Sequence, residues 1–446
     1  MAQAVGMNQL TQQLRANHVP GNASATGVRL LTVPWALVLA LLAGSAAPSA
    51  QAAQSFSLTP LWSTAPDTAY VWSSTNHTQR SIAGNPVTGH LLTVSRYPAT
   101  NAAIYILDSN NGALLGQLDT NGVHLGELNF PLNVVAVASD GVIYACNLTV
   151  DSTNAPTGNN GPFRLYRWAN ESAAPTVAYE GDPSDTDTNI HHRRFGDSLA
   201  VRGSGANTEL LAGTRVGKVV ARFSTSDGFS FQHQKLDAPE LQGISAMVTI
   251  AFGPSNTFWT KVENGSLTDQ PLQHFSYNVG AGTAALIQSY LGIPGGPLNF
   301  DVSRNLLGVV RGIAHEFRLF RLTSSGLIQQ GATIPFPGTN SNGNLTGAVA
   351  FSPDKVFAFE SNNGLMAFSI STHTLVPFSL NLTAPAGQPT LTWPSAEGFL
   401  YQPQFRTSMS NAGWTNLGGA TNGTGTGISV VDAPSGDTRF YRVRAD

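Results

Sequence analysis

The stretch RSIAGNPVTGHLLTVSRYPATNAAIYILDSNNGALLGQL, residues 80–118, holds four short segments in which apolar residues crowd together or alternate with polar ones, at 80–84, 91–95, 104–107 and 112–118. Period-2 alternation with β-branched and aromatic residues fits strands rather than helices. Between the first two segments stands Asn85-Pro86-Val87-Thr88-Gly89, where Asn and Gly supply positive φ and Pro fixes the entry to a tight turn. The stretch predicts an antiparallel meander of four strands.

The same order recurs along the chain. First segments fall at 80–84, 132–138, 198–201, 246–252, 298–302 and 345–351, and second segments at 91–95, 142–146, 209–213, 257–261, 306–310 and 355–359. Turn clusters such as Ser139-Asp140-Gly141 and Gly253-Pro254-Ser255-Asn256 separate them. Third segments follow at 104–107, 163–168, 219–223, 272–277, 317–322 and 365–370, their starts 45 to 59 residues apart. Four-stranded units repeating at roughly 40–50 residues with loop insertions, and no helical periodicity, predict an all-β β-propeller of six blades over residues 53–380. Residues 57–72 carry further strand material that either supplies a seventh blade or pairs with the last one to close the ring. A series of β-sandwiches or a β-helix is the competing architecture.

From residue 380 the spacing changes. Segments at 389–393, 399–406, 414–417, 428–431 and 439–444, with Gly-rich loops at 418–419 and 423–427, predict a small β-sandwich over residues 381–446. Trp393, Tyr401, Trp414 and Tyr441 are the expected core.

Near the N-terminus, Arg29 precedes an apolar run at 30–44 and then Ala50-Gln51-Ala52. A basic flank, a short apolar core and an A-x-A site make residues 1–52 an expected secretory leader, cleaved after Ala52 and leaving no membrane span. The mature chain is expected to be secreted or periplasmic, and monomeric. A single cysteine, Cys146, excludes an internal disulfide framework and any Cys-rich metal site, which suits a bacterial exported protein. In its apolar strand Cys146 reads as a core residue. Charged residues make up 11% of the 446, with 23 Lys+Arg against 26 Asp+Glu, where an ordinary soluble domain carries about 25%. Such a chain lacks the clustered cations a nucleic-acid binder needs.

The segments NPVTGHLLTVSR from Asn85, SDGVIYACNLT from Ser139, FRLYRW from Phe163, YEGDP from Tyr179 and RFGDSLAVRGSG from Arg194 resemble a family of exported bacterial β-propeller proteins whose domain has no assigned function. The resemblance is clearest over residues 60–240 and fades afterwards. The ending, with residues 401–406, Trp414-Thr415-Asn416-Leu417-Gly418 and residues 439–444, is similar to fibronectin-like modules that close many bacterial exported proteins. Both likenesses imply export and fold, and neither carries over a catalytic residue.

The chemistry concentrates at residues 180–202, where Glu180, Asp182, Asp185, Asp187, Arg193, Arg194, Asp197 and Arg202 crowd beside His191-His192. This segment joins one blade's outer strand to the next blade's inner strand, over the channel face where propellers usually bind ligands. The candidate ligand-binding residues are Asp182, Asp185, Asp187, His191, His192 and Arg194; the alternative is a solvated, internally salt-bridged loop. A calcium loop fails at Ile190 and Gly196, where Gly and Glu are needed. Adjacent histidines on a strand point opposite ways, so the pair is weak evidence for zinc. Neither metal nor cofactor is expected, and the catalytic motifs of serine hydrolases, zinc proteases and nucleotide enzymes lack a credible context. Two functions follow. One is a binding protein for a glycan, a peptide or an envelope component. The alternative is an extracellular hydrolase or lyase acting on polysaccharide, whose carboxylates converge only in the fold. Intact-mass measurement of the exported protein should show a chain beginning after Ala52; a mature chain that keeps residues 30–44 would contradict the leader.

Overall fold

A computed structural model describes residues 54–446 apart from 68–73, 97–101, 186, 216–217, 243–248, 262–269, 386–387, 409–412 and 434–438. The expected leader, and parts of the strand segments expected at 57–72 and 246–252, lie outside the described residues. The chain forms two compact units, one spanning Phe56–Ser371 and one containing Thr372–Asp446. Both are all-β.

The larger unit begins with β1 (Gln54–Thr64). Then β2 (Gln79–Gly84), β3 (Leu91–Ser95), β4 (Ala103–Leu107) and β5 (Leu114–Gln117) form an antiparallel meander in the segment whose pattern predicted it. The order recurs in β6 (Val134–Val137), β7 (Ile143–Cys146), β8 (Phe163–Trp168) and β9 (Thr176–Gly181). It recurs in β10 (Ala200–Arg202), β11 (Glu209–Gly213), β12 (Val219–Thr225) and β13 (Phe231–Asp237). Next come β14 (Ala251–Phe252), β15 (Thr257–Thr260), β16 (Leu272–Asn278) and β17 (Thr283–Tyr290), which touch the preceding sheet through one parallel pair, Asp237 with Thr283. Another meander is β18 (Leu298–Asp301), β19 (Leu306–Arg311), β20 (Glu316–Thr323) and β21 (Gly326–Gln329), with β22 (Ile334–Pro335) added against β20. The last has only three consecutive strands, β23 (Gly347–Phe351), β24 (Lys355–Glu360) and β25 (Gly364–Thr374), and β1 supplies the fourth by pairing with β25.

The first strands lie side by side in turn: β2 by β6, β6 by β10, β10 by β14, β14 by β18, β18 by β23, and β23 by β2 again. They close a ring, and each sheet packs face to face on the next. Leu92, Val94 and Ile104 meet Val135, Ile143 and Tyr166; Tyr144 and Phe163 meet Leu210 and Phe223. Trp259 and Leu272 meet Phe300 and Leu307, and Phe357, Phe359 and Leu365 return to Ile82, Leu91 and Leu107. Burial on both faces explains why strands such as LLTVS and IYAC read as apolar runs rather than as clean alternations.

The closure is made by β1. Phe56, 3% exposed, joins the apolar contact between the last two sheets, and its backbone N–H donates to Gln330 Oε1 at 2.8 Å. Trp62 packs beside Phe357, and its Nε1–H donates to the Ser109 carbonyl at 2.8 Å in the turn between β4 and β5. Gly112 leaves room for that ring, since a Cβ there would lie 2.8 Å from it. One strand thereby reaches three sheets, and residues 57–64 pair with the last sheet rather than forming one of their own.

In the second unit the strands are β26 (Asn381–Thr383), β27 (Thr390–Pro394), β28 (Leu400–Arg406), β29 (Thr415–Asn416), β30 (Thr421–Asn422), β31 (Gly427–Val431) and β32 (Phe440–Ala445). One sheet is β26-β27-β31, and the other centres on β28, which pairs with β29, β30 and β32. Their core holds Leu391, Trp393, Phe399, Tyr401, Tyr441 and Val443. Trp414, expected there, instead stacks between the guanidiniums of Arg406 (4.5 Å) and Arg442 (4.4 Å). Strand alternation is the reason: Tyr441 and Val443 face the core, so Arg442 between them faces the other way and draws the indole with it.

Phe56→Ala should lower the unfolding free energy by about 3–5 kcal/mol, the usual cost of emptying an aromatic core site. Urea denaturation measures it, with Trp62→Ala expected to act in the same direction. A loss below about 1 kcal/mol for Phe56→Ala would mean that the seam is held elsewhere.

Candidate functional site

At one end of the ring the first strands open into a cavity of about 260 Å³ whose lining includes Arg80, Arg96, Phe130, Asn133, Arg194 and Asp197. It adjoins a second cavity of about 260 Å³ that runs between the first strands themselves, and Arg80, Asp197 and Gly347 line both. The mouth therefore adjoins the channel.

Local backbone features put these side chains there. Between β2 and β3 the register passes from Gln79 opposite Ser95 to Ser81 opposite Val94, so Arg80 is the extra residue of a β-bulge. Bulges re-aim a side chain that a regular ladder would hold on the sheet face. Arg96 follows β3 directly and extends the ladder by one bond, its N–H donating to the Thr78 carbonyl at 2.8 Å. Asn133 precedes β6, is 1% exposed and ties the group together. Its Oδ1 accepts from Arg80 Nε at 3.2 Å and from Arg96 Nη2, while its Nδ2 donates to the Gly196 carbonyl at 2.5 Å. The Phe130 ring lies 3.9 Å beneath the Arg96 guanidinium.

The third arginine comes from the charged loop. Phe195 and Thr149 exchange two backbone hydrogen bonds of 3.0 and 3.1 Å, which pin the loop to the segment after β7. Gly196, at φ +99°, lies so close that a Cβ would sit 1.8 Å from the Asn147 carbonyl oxygen, so only glycine passes. Beside it Arg194 grips Asp197 through Nε at 2.7 Å and Nη2 at 3.2 Å.

Charge is poorly balanced in this enclosure. Three guanidiniums face a single carboxylate in the described lining. Burial pulls the Arg80 guanidinium below its ordinary pKa, with nearby Asp197 opposing and Arg194 reinforcing the shift. Arg96 is held well below its ordinary value, first by burial and then by Arg80. Arginine stays protonated all the same, so the direction records positive charge that lacks solvent and counter-charge. Beneath the mouth Cys146 is fully buried, with its thiol pushed up to about 12 mainly by desolvation, which fits a core residue.

The candidate residues of the charged loop separate in space. Arg194 lines the mouth; Asp182, Asp185, Asp187, His191 and His192 are outside its lining. Asp182 accepts from Ser152 Oγ at 2.6 Å and from Ser184 Oγ at 2.7 Å. Asp185, 53% exposed, meets His233 Nε2 at 2.8 Å. Asp187 pairs with His192 Nδ1 at 3.0 Å, and that bond, with one from the Asn189 N–H, holds its carboxyl below the ordinary range against the opposing effect of burial. His191 is exposed in a short 3-10 turn, Ile190–Arg193. No group of three or more potential metal-ligating side chains occurs among the described residues.

Sequence reasoning missed Arg80, Arg96, Asn133 and Asp197 as a set. It also missed a buried polar knot that shapes the opposite wall. Glu360, 0% exposed, accepts from Asn363 Nδ2 at 2.7 Å and meets His315 Nδ1 at 2.9 Å, and burial raises its carboxyl pKa in spite of these bonds. Asn342 Nδ2 also reaches Glu360, at 3.3 Å, and Thr346 O, at 2.9 Å. These bonds fix the segment whose Asn344, Leu345 and Thr346 line the mouth. The available signal was two arginines in the charge-poor stretch 80–96, bracketing one hairpin.

No family model matches the chain, and no curated protein sequence matches it. Among solved structures it is similar to a DUF4623 family protein from Bacteroides eggerthii, with a TM-score of 0.51 and 15% identity, over 72% of this chain and 78% of that one. It also matches an α-L-arabinanase from Penicillium chrysogenum, with a TM-score of 0.45 and 11% identity over 71% and 99% of the two chains. A calcium-binding protein, regucalcin, from Agrobacterium tumefaciens matches with a TM-score of 0.42 and 15% identity, over 70% and 93%. At these identities the likeness speaks to fold alone, and the ring of four-stranded meanders described above makes the larger unit one of the β-propeller type.

Asn133→Leu should cost about 2–4 kcal/mol of stability, because it removes the acceptor shared by two desolvated guanidiniums. A thermal or urea melt would show it, and a change below about 0.5 kcal/mol would mean that Asn133 does not hold the arginines.

Proposed function

We propose that this chain is an exported binding protein built as a six-bladed β-propeller, closed by its N-terminal strand and followed by a small fibronectin-like β-sandwich, and that the channel mouth holds an anionic ligand. The observation that carries the reading is the convergence of Arg80, Arg96 and Arg194 on one cavity with Asp197 as the only carboxylate among its described lining residues. In a chain whose net charge is −3, cations gathered in a low-dielectric recess attract an anion more strongly than the same charges would on open surface. Guanidinium forks match carboxylate, phosphate and sulfate oxygens. A two-carboxylate hydrolytic site needs a second acid within roughly 5–9.5 Å, and the arrangement fits binding better. The partners that suit it are acidic glycans, acidic peptides or envelope polymers. The charged loop contributes Arg194 directly, while Asp182, Asp185, Asp187, His191 and His192 support its fold or meet a larger ligand at the rim.

Isothermal titration with polygalacturonate, and with neutral galactan as control, tests the reading. Polygalacturonate should bind, and Arg80→Gln with Arg96→Gln together should weaken it by at least about a hundredfold, since each charge-assisted hydrogen bond to the ligand contributes about 1.5–3 kcal/mol. Raising the salt should weaken it too. Equal binding of the neutral polymer, or wild-type affinity in the double variant, would overturn the assignment.

A further inference from the structure

The amount of charge at the mouth is as informative as its sign. Arg194 holds both oxygens of Asp197, at 2.7 and 3.2 Å, and that pair cancels. Arg80 and Arg96 are left over in the described lining. Both donate to the same neutral oxygen, Asn133 Oδ1, so their donor nitrogens lie less than about 6 Å apart. Two cations held so close repel each other, and a neutral amide does not cancel either of them.

The far side of each guanidinium is open to the recess. Arg80 donates only through Nε, Arg96 only through Nη2, and Arg194 only through Nε and Nη2, among the described residues. The remaining terminal nitrogens, Nη1 and Nη2 of Arg80 and Nη1 of Arg96 and Arg194, are not among the unpartnered polar atoms that are closed off from solvent, whereas Nε of Arg96 is. A ligand therefore meets the terminal N–H groups.

This count separates anions by charge. A carboxylate, a sulfate ester or a phosphodiester brings one negative charge and leaves one of the two guanidiniums uncompensated in a partly buried site. A phosphate monoester brings close to two at neutral pH, spread over three terminal oxygens that face different sides and accept strongly from guanidiniums. Phe130, Leu148 and Val150 stand in the same lining and offer an apolar wall to the carbon that carries the ester.

Resting on the anion-binding reading above, we infer that the group recognised at the mouth is a phosphate monoester, its oxygens bridging the terminal N–H groups of Arg80 and Arg96 and its carbon end set against Leu148 and Val150.

Calorimetry on the intact protein at about pH 7.5, with methyl phosphate, methyl sulfate, dimethyl phosphate and inorganic phosphate, tests this. Methyl phosphate and methyl sulfate have nearly the same shape and differ by one charge. Methyl phosphate should bind at least about tenfold more tightly than methyl sulfate or dimethyl phosphate, and no more weakly than inorganic phosphate. Arg80→Gln should weaken methyl phosphate by about the square of the factor by which it weakens methyl sulfate, because Coulomb attraction scales with the charge of the ligand. The comparison among probes needs no mutation, so it stands even if the variant folds poorly. Equal binding of methyl phosphate and methyl sulfate would overturn the phosphate-monoester inference and leave the anion site intact. Inorganic phosphate binding about tenfold more tightly than methyl phosphate would overturn the ester. Failure of every anion to bind, polygalacturonate included, would overturn the anion-binding reading itself.

Discussion

The pairing of β1 with β25 is the constraint on which the larger unit depends. Each sheet is apolar on both faces and can bury them only between two neighbours, so a ring with one gap would leave two faces and a sheet edge in water. Phe56 and Trp62 fill that gap from a strand that precedes the others in sequence and completes the last sheet. Closure joins the beginning of the unit to its end. It also sets the first strands at fixed distances around the channel, and the mouth inherits its geometry from them.

The mouth is a charged group built into a fold that otherwise avoids charge. Two guanidiniums share the Oδ1 of Asn133, and a third is gripped by Asp197. A neutral amide can orient a cation without cancelling it, whereas a carboxylate in the position of Asn133 would cancel one of the two charges that Asp197 leaves. The uncancelled charge costs folding free energy. Its retention in a recess beside the channel is what distinguishes this arrangement from the paired arginines elsewhere: Arg202 and Arg222 converge on Glu209, and Arg164 sits between Glu127 and Glu180.

Strands were legible because their two-sided burial leaves compact apolar runs set off by turn residues, as in LLTVS after NPVTGH. The role of residues 57–64 was legible only as an alternative, since pairing between the ends of a unit leaves no local signal. The charged loop was legible as a place and not as a set of contacts. Its pattern could not show that Asp182 would be absorbed by Ser152 and Ser184, or that Asp187 would turn to His192, while Arg194 reached the cavity. Arg80 was illegible for a different reason. A bulge depends on how two strands pair, and one strand's alternation does not reveal it. Trp414 shows the same limit, because its place was set by the arginines on the outer face of β28 and β32 rather than by its own hydrophobicity.

Whether an anion reaches the three arginines decides the function assigned to the channel mouth. Their side-chain Nε–H resonances, observed by ¹⁵N NMR during titration with D-galacturonate at constant ionic strength, report this directly. Anion binding at the mouth predicts saturable shifts at Arg80, Arg96 and Arg194, with the arginines paired to Glu209 unmoved. Shifts spread evenly over exposed arginines, with Arg96 silent, would contradict it.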